Sequence, residues 1–101
     1  MKVQDIGEFG LIELVAGMVS GSGISGNVIM GIGDDAACWH GDAPIELGTT
    51  DTLVQDVHFT LDTTTWGELG WRAMAINLSD IAAIGGVPRY ALVSLAIPGD
   101  T

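Results

Sequence analysis

The stretch Trp66-Gly67-Glu68-Leu69-Gly70-Trp71-Arg72-Ala73-Met74-Ala75-Ile76-Asn77-Leu78-Ser79-Asp80-Ile81-Ala82-Ala83-Ile84 carries Trp71, Met74, Leu78 and Ile81 at spacings of three and four. That is the period of a helix with one apolar stripe. Gly85-Gly86 supplies a C-cap, and Pro88 prevents continuation. The residues that follow, Tyr90 to Ile97, are almost wholly apolar, which predicts a strand covered on both faces. Toward the N-terminus, Ile45 to His58 alternates in part, with Ile45, Leu47, Thr49, Asp51 and Leu53 on one face of an extended strand. Val28 to Ile32 and Ala36 to His40 are shorter runs of strand character. Phe9, Ile12, Val15, Ala16 and Val19 mark one face of a helix from about Glu8 to Ser20, and Ser22 to Asn27 is a Gly/Ser linker. Helix, strands, helix, strand predicts an α+β fold, a mainly antiparallel sheet with helices on one side.

A chain of 101 residues is long enough for one core and one domain. Hydrophobic residues make up 48% and charged residues only 16%, which leaves little polar surface and suits burial against another subunit. Thirteen Asp and Glu stand against Lys2, Arg72 and Arg89, a formal net charge of −10. Non-specific nucleic-acid binding is not expected, and no nucleic-acid partner with it, because such binding requires clustered Lys and Arg to neutralise phosphates. An anionic ligand such as a nucleotide is repelled as well, unless bound cations invert the local field. Cys38 is the single cysteine, so neither an intrachain disulfide nor a thiolate metal site can form. Asp5, Glu8 and Glu13 interrupt the N-terminus where a secretory signal would be basic and then apolar, and Leu14 to Gly33 is too polar to span a membrane. A cytoplasmic protein with no membrane partner is expected.

Three acidic motifs stand out. Gly31-Ile32-Gly33-Asp34-Asp35-Ala36-Ala37 sets two carboxylates side by side after a glycine turn, and adjacent like charges resist ionisation unless a cation or donors compensate. A solvated Asx turn would carry the same letters. Thr49-Thr50-Asp51-Thr52 offers hydroxyls and a carboxylate, hard oxygen donors of the kind magnesium takes, although threonine also favours strands for its own reasons. Strand alternation would separate Thr50 from Thr49 and Asp51, so a shared cluster requires a bend there. In Asn77-Leu78-Ser79-Asp80, Asp80 is the only charge between Arg72 and Arg89 in a run that reads as core. A buried carboxylate there would have to be paired or metal-bound, with Asn77 on the same helical face. The competing interpretation makes Ser79 or Asp80 the N-cap of a new short helix. His58, seven residues after Asp51, could donate to a phosphate, although a lone histidine is commonly structural or solvated.

Gly21-Ser22-Gly23-Ile24-Ser25-Gly26 matches a dinucleotide-binding pattern in letters but follows a helix, so it belongs to the linker. A P-loop lysine is also absent. If nucleotide binds, magnesium must hold its phosphates.

Taken in order, Gly31-Ile32-Gly33-Asp34-Asp35-Ala36-Ala37, Thr49-Thr50-Asp51-Thr52-Leu53-Val54 with His58-Phe59, and Asn77-Leu78-Ser79-Asp80-Ile81-Ala82-Ala83 followed by Gly85 resemble the N-terminal motifs of the thiamine-monophosphate kinase family. Gly7-Glu8-Phe9 with Leu11-Ile12 resembles that family's start. The resemblance implies a kinase that phosphorylates thiamine monophosphate with ATP, in the aminoimidazole-ribonucleotide-synthetase-like fold, whose N-terminal domains pair in a homodimer to form a shared β-barrel. It implies Asp35, Thr49, Thr50, Asp51 and Asp80 as ligands of several Mg2+ ions and His58 as a substrate contact. Asp34 and Asn77 are candidates for a supporting shell, and no residue is assigned a catalytic role. Arg72 departs from that family's lysine and Gly86 from its usual alanine. Because the sequence stops at Thr101, a single truncated N-terminal domain, residues 1–101, lacking its C-terminal domain and inactive alone, is expected. The rivals are another ATP-using enzyme of the same superfamily and a non-catalytic dimerisation module.

Overall fold

The computed structural model describes residues 1–19, 26–33 and 35–101, which leaves Asp34 and most of the Gly/Ser linker outside the described residues. The chain divides into two compact units, Met1–Ala43 with Val93–Thr101, and Pro44–Leu92. Both contain helix and the first also contains an antiparallel strand pair, in keeping with the α+β class.

In the first unit, α1 runs from Val3–Val19 and is broken at Gly7, whose φ of 68° and ψ of −175° are open essentially to glycine alone. The first N–H groups of a helix have no partner within it. Here the Val3 N–H donates to the Thr101 carbonyl at 2.9 Å and the Gln4 N–H to the Gly99 carbonyl at 2.8 Å, while the Lys2 N–H donates to the Asp5 carboxylate at 2.8 Å. The half-buried face holds Val3, Ile6, Leu11, Val15 and Ala16. Phe9, Ile12 and Val19, expected on that face, are exposed, Phe9 by 79%. Strand β1 (Val28–Met30) pairs antiparallel with β2 (Cys38–Trp39), with Val28 opposite Trp39 and Met30 opposite Cys38, so one residue is left over as a bulge. The His40 N–H extends the ladder to the Asn27 carbonyl at 2.7 Å.

The second unit is built on α2 (Trp66–Ala83). Thr65 caps it reciprocally: the Glu68 N–H donates to the Thr65 hydroxyl at 3.1 Å and the Thr65 N–H to the Glu68 carboxylate at 3.0 Å. It ends as a Schellman motif, with Gly85 at φ 80° donating to the Ala82 carbonyl at 3.0 Å and Gly86 to the Ile81 carbonyl at 2.9 Å. A Cβ on Gly86 would lie 2.6 Å from Leu47 Cδ1, so the 45–53 segment closes directly onto this helix end.

Two expected strands differ. Ile45 to His58 forms no strand beyond an isolated bridge from Gln55 to Phe59, and Tyr90 to Ile97 forms none, among the described residues. Alternation and apolar content make a segment fit for a sheet, but a strand exists only where a neighbouring backbone completes its ladder, and the sheet among the described residues contains only β1 and β2. No described residue is fully buried, and Trp71, Leu92 and Val93 are more than 70% exposed. No helix among the described residues is long and apolar enough to cross a membrane.

Candidate functional site

The turn between Val54 and Phe59 is held by its own backbone. The Val57 and His58 N–H groups donate to the Val54 carbonyl at 3.1 and 2.8 Å, and the Asp56 N–H donates to the Phe59 carbonyl at 2.7 Å. Asp56 adopts φ 65°, a left-handed conformation that aspartate tolerates better than most residues. His58 closes the turn with its side chain: the Val54 N–H donates to Nδ1 at 2.9 Å. A ring nitrogen that accepts a hydrogen bond carries no proton, so the neutral imidazole keeps its hydrogen on Nε2. The exposed His58 therefore offers a single N–H donor, suited to an acceptor such as a phosphate oxygen. Arg72 on α2 donates from Nη1 to the His58 carbonyl at 3.1 Å. Sequence reasoning placed Arg72 only as a departure from lysine, and no spacing rule joins positions fourteen residues apart across a turn.

Asn77 and Asp80 sit three residues apart within α2, on one face. This excludes a new helix starting at Ser79 or Asp80. Asn77 is half-buried, and its Nδ2 donates to the Ala73 carbonyl at 2.8 Å. That bond fixes the amide's orientation and leaves Oδ1 buried with no hydrogen-bond partner among the described residues. Asp80 is exposed, which corrects the expectation of a carboxylate in a core: α2 has no buried residue, so the stripe around Asp80 is open to water and its charge requires no partner.

Thr49, Thr50 and Asp51 are exposed and lie outside any assigned strand, so no ladder forces Thr50 to the side opposite its neighbours. No side-chain hydrogen bond or ion pair engages any of the three, or Asp80, among the described residues. These residues and His58 belong to the second unit; Asp35, exposed at a bend after Gly33, belongs to the first. The depression lined by residues 61–66 and Glu68 includes no candidate, and the polar groups of Thr65 and Glu68 there are already used by the helix cap.

Among the described residues no group of three or more His, Cys, Asp and Glu is placed to hold a metal ion. Magnesium makes a smaller demand than that, since it keeps several waters and is commonly bound by one or two carboxylates plus substrate phosphate. By chemical type alone, the carboxylate oxygens of Asp51 and Asp80 and the hydroxyls of Thr49 and Thr50 are hard oxygens of the kind it takes, whereas the orphaned amide oxygen of Asn77 is buried.

Residues 33–101 match the family described as AIR synthase related protein, N-terminal domain. Thiamine-monophosphate kinase of Bacillus subtilis is 48% identical over 73 residues, covering 71% of this chain and 22% of that protein. The Aquifex aeolicus enzyme of the same name is 38% identical over 106 residues, covering 99% of this chain and 30% of its own length. That of Mycobacterium tuberculosis strain H37Rv is 36% identical over 99 residues, covering 98% and 29%. The chain thus spans less than a third of the length of these curated relatives. No solved structure matches it significantly.

Proposed function

Since the chain belongs to the AIR synthase related protein family through its N-terminal domain, and since its relatives named thiamine-monophosphate kinase align along almost its whole length, we propose that it serves ATP-dependent phosphorylation of thiamine monophosphate to thiamine diphosphate. The observation that carries this reading is the similarity to the Aquifex aeolicus and Mycobacterium tuberculosis kinases across 99% and 98% of the chain. The His58 turn supports it, because a neutral, outward N–H donor suits a phosphate oxygen.

On this reading a phosphate oxygen of thiamine monophosphate bonds to the γ-phosphorus of ATP, the bond from that phosphorus to the β–γ bridging oxygen breaks, and ADP leaves with the electron pair. An ionised phosphate is already a nucleophile, so the protein's contribution is positioning and charge neutralisation. Asp35, Thr49, Thr50, Asp51 and Asp80 would hold Mg2+, with Asp34 and Asn77 supporting them. Bound magnesium supplies the positive charge that a chain of net −10 lacks toward two phosphorylated substrates. His58 orients thiamine monophosphate through Nε2–H. The exposed apolar residues Leu92 and Val93 suit a homodimer in which the 90–97 segment joins a larger, mainly antiparallel sheet with helices on one side, closing a shared barrel in the cytoplasm.

Thermal unfolding with and without Mg2+ and a non-hydrolysable ATP analogue tests the proposal on the chain and on Asp80→Asn. Ligands at about 100 times their Kd stabilise by about 2.7 kcal/mol. Stabilisation that Asp80→Asn abolishes, together with a further shift from thiamine monophosphate, is the expected result. Equal behaviour of both proteins would overturn the metal assignment, and a shift from another superfamily substrate in place of thiamine monophosphate would overturn the substrate.

A further inference from the structure

The hydrogen bonds inside Val54–Phe59 fix the shape of the His58 turn but not its place. The bonds from Val57 and His58 to the Val54 carbonyl, from Asp56 to the Phe59 carbonyl and from Val54 to His58 Nδ1 all begin and end within the turn, so they would survive a pivot of the whole turn against the rest of the unit. The bond from Arg72 Nη1 to the His58 carbonyl is different in kind: it runs from the helix that also carries Asn77 and Asp80. Position 72 lies on α2 two helical turns before Asp80, so the same rigid element fixes both the carbonyl of His58 and the Asp80 carboxylate.

We propose that Arg72 is a positioning residue for His58, tying the histidine turn to α2 so that its Nε2–H is presented to a phosphate oxygen at a fixed distance from the acidic side chains of that helix. The choice of arginine has a physical content. A guanidinium directs several N–H groups in a rigid plane, so one can hold a carbonyl at 3.1 Å without the side chain surrendering all its donors to it. A lysine ammonium can reach the same oxygen only as a flexible point donor. The carbonyl it grips belongs to the residue whose ring makes the Val54 clip, so slack in the tie is felt directly by the imidazole. The phosphate part of the proposal rests on the kinase reading; the positioning part does not.

The test is nuclear magnetic resonance of the His58 ring nitrogens, with amide exchange of Val54, in the chain, Arg72→Met and Arg72→Lys, each then titrated with thiamine monophosphate and separately with inorganic phosphate in the presence of Mg2+. The parent chain is expected to show an Nε2–H tautomer and a protected Val54 amide. Arg72→Met is expected to lose protection at Val54 on the order of threefold to tenfold, the scale of one hydrogen bond to a charged donor in a solvated setting, and to mix the tautomers, while its thermal unfolding stays near the parent's. Arg72→Lys is expected to recover part of both signals. Identical tautomers and identical Val54 protection in all three proteins would overturn the positioning role. If those signals respond as expected but neither phosphate compound perturbs His58 Nε2, the kinase reading of His58 falls and Arg72's tie stands. If both respond, with weaker thiamine monophosphate binding in Arg72→Met than in Arg72→Lys, the full proposal holds.

Discussion

Replacing Gly86 by alanine adds one methyl group at the point where the 45–53 segment meets the end of α2. The new Cβ would lie 2.6 Å from Leu47 Cδ1, 2.9 Å from Ile81 Cγ2 and 3.2 Å from the Ile81 carbonyl oxygen. Leu47 is 44% exposed and can rotate away at little cost. The Ile81 carbonyl cannot, because it accepts the Gly86 N–H at 2.9 Å and so closes the Schellman motif. Relieving the methyl therefore lengthens that bond or shifts the helix end. Overpacking of this kind costs about 1–3 kcal/mol, which outweighs the gain of about 0.4–1 kcal/mol that alanine brings by restricting the unfolded chain. At about 4–8 °C per kcal/mol for a chain of this size, the net loss is readable by thermal unfolding. Leu47→Ala in the same chain should recover the part of the loss due to Leu47, measurable as a coupling in a double-mutant cycle. A Gly86→Ala protein as stable as the parent, or more so, would refute the close approach of Leu47 and Ile81. The test has an edge, because the family resemblance places alanine at this position and the geometry here rejects it.

Two further perturbations follow from the backbone and from a buried atom. Gly7→Ala forces a Cβ onto φ 68° and ψ −175°, so it should destabilise by about 1–3 kcal/mol in urea unfolding, whereas Gly17→Ala, in the regular part of α1, should stabilise slightly. Asn77→Leu removes the unpaired Oδ1 together with the Nδ2 bond to Ala73, so without Mg2+ it should leave stability unchanged or raise it by up to about 2 kcal/mol. The same variant should lose part of any Mg2+-induced stabilisation if the amide oxygen supports the metal, which thermal unfolding reads in the same titration.

How far the chain can be read from its letters depends on where the determining contacts lie. Trp66–Ala83 is legible because its determinants are local: the three-and-four spacing marks the helix and Gly85-Gly86 stops it. Thr65-Trp66-Gly67-Glu68 is also a capping box in plain sight, a signal the periodicity reading passed over. Ile45 to His58 shows the limit. Partial alternation says which side chains would share a face, but whether a second backbone lies alongside is a property of distant residues. The stretch instead ends in a self-bonded turn around Asp56. The candidate site divides in the same way. Residue types favoured by magnesium are visible at positions 49–51 and 80, and Asn77 and Asp80 follow from helical spacing. The inference that Asp80 must be paired does not hold, because it treats an apolar stripe as buried when the stripe is exposed. Arg72 could not be found at all, since its partner is a backbone carbonyl fourteen residues away, and carbonyls leave no trace in side-chain patterns.

Of the basic side chains Lys2, Arg72 and Arg89, Arg72 spends a donor on the His58 carbonyl, and the ring it steadies presents a neutral N–H. A neutral donor directs a phosphate oxygen but does little to offset the field of thirteen carboxylates. On the proposed reading, orientation and charge compensation are therefore separate tasks: the chain's own hydrogen bonds supply the first, and the unpaired oxygens of Thr49, Thr50, Asp51 and Asp80, by recruiting magnesium, supply the second. That division leaves the carboxylates free for the cation, because basic side chains added near them would pair with them and compete with the metal.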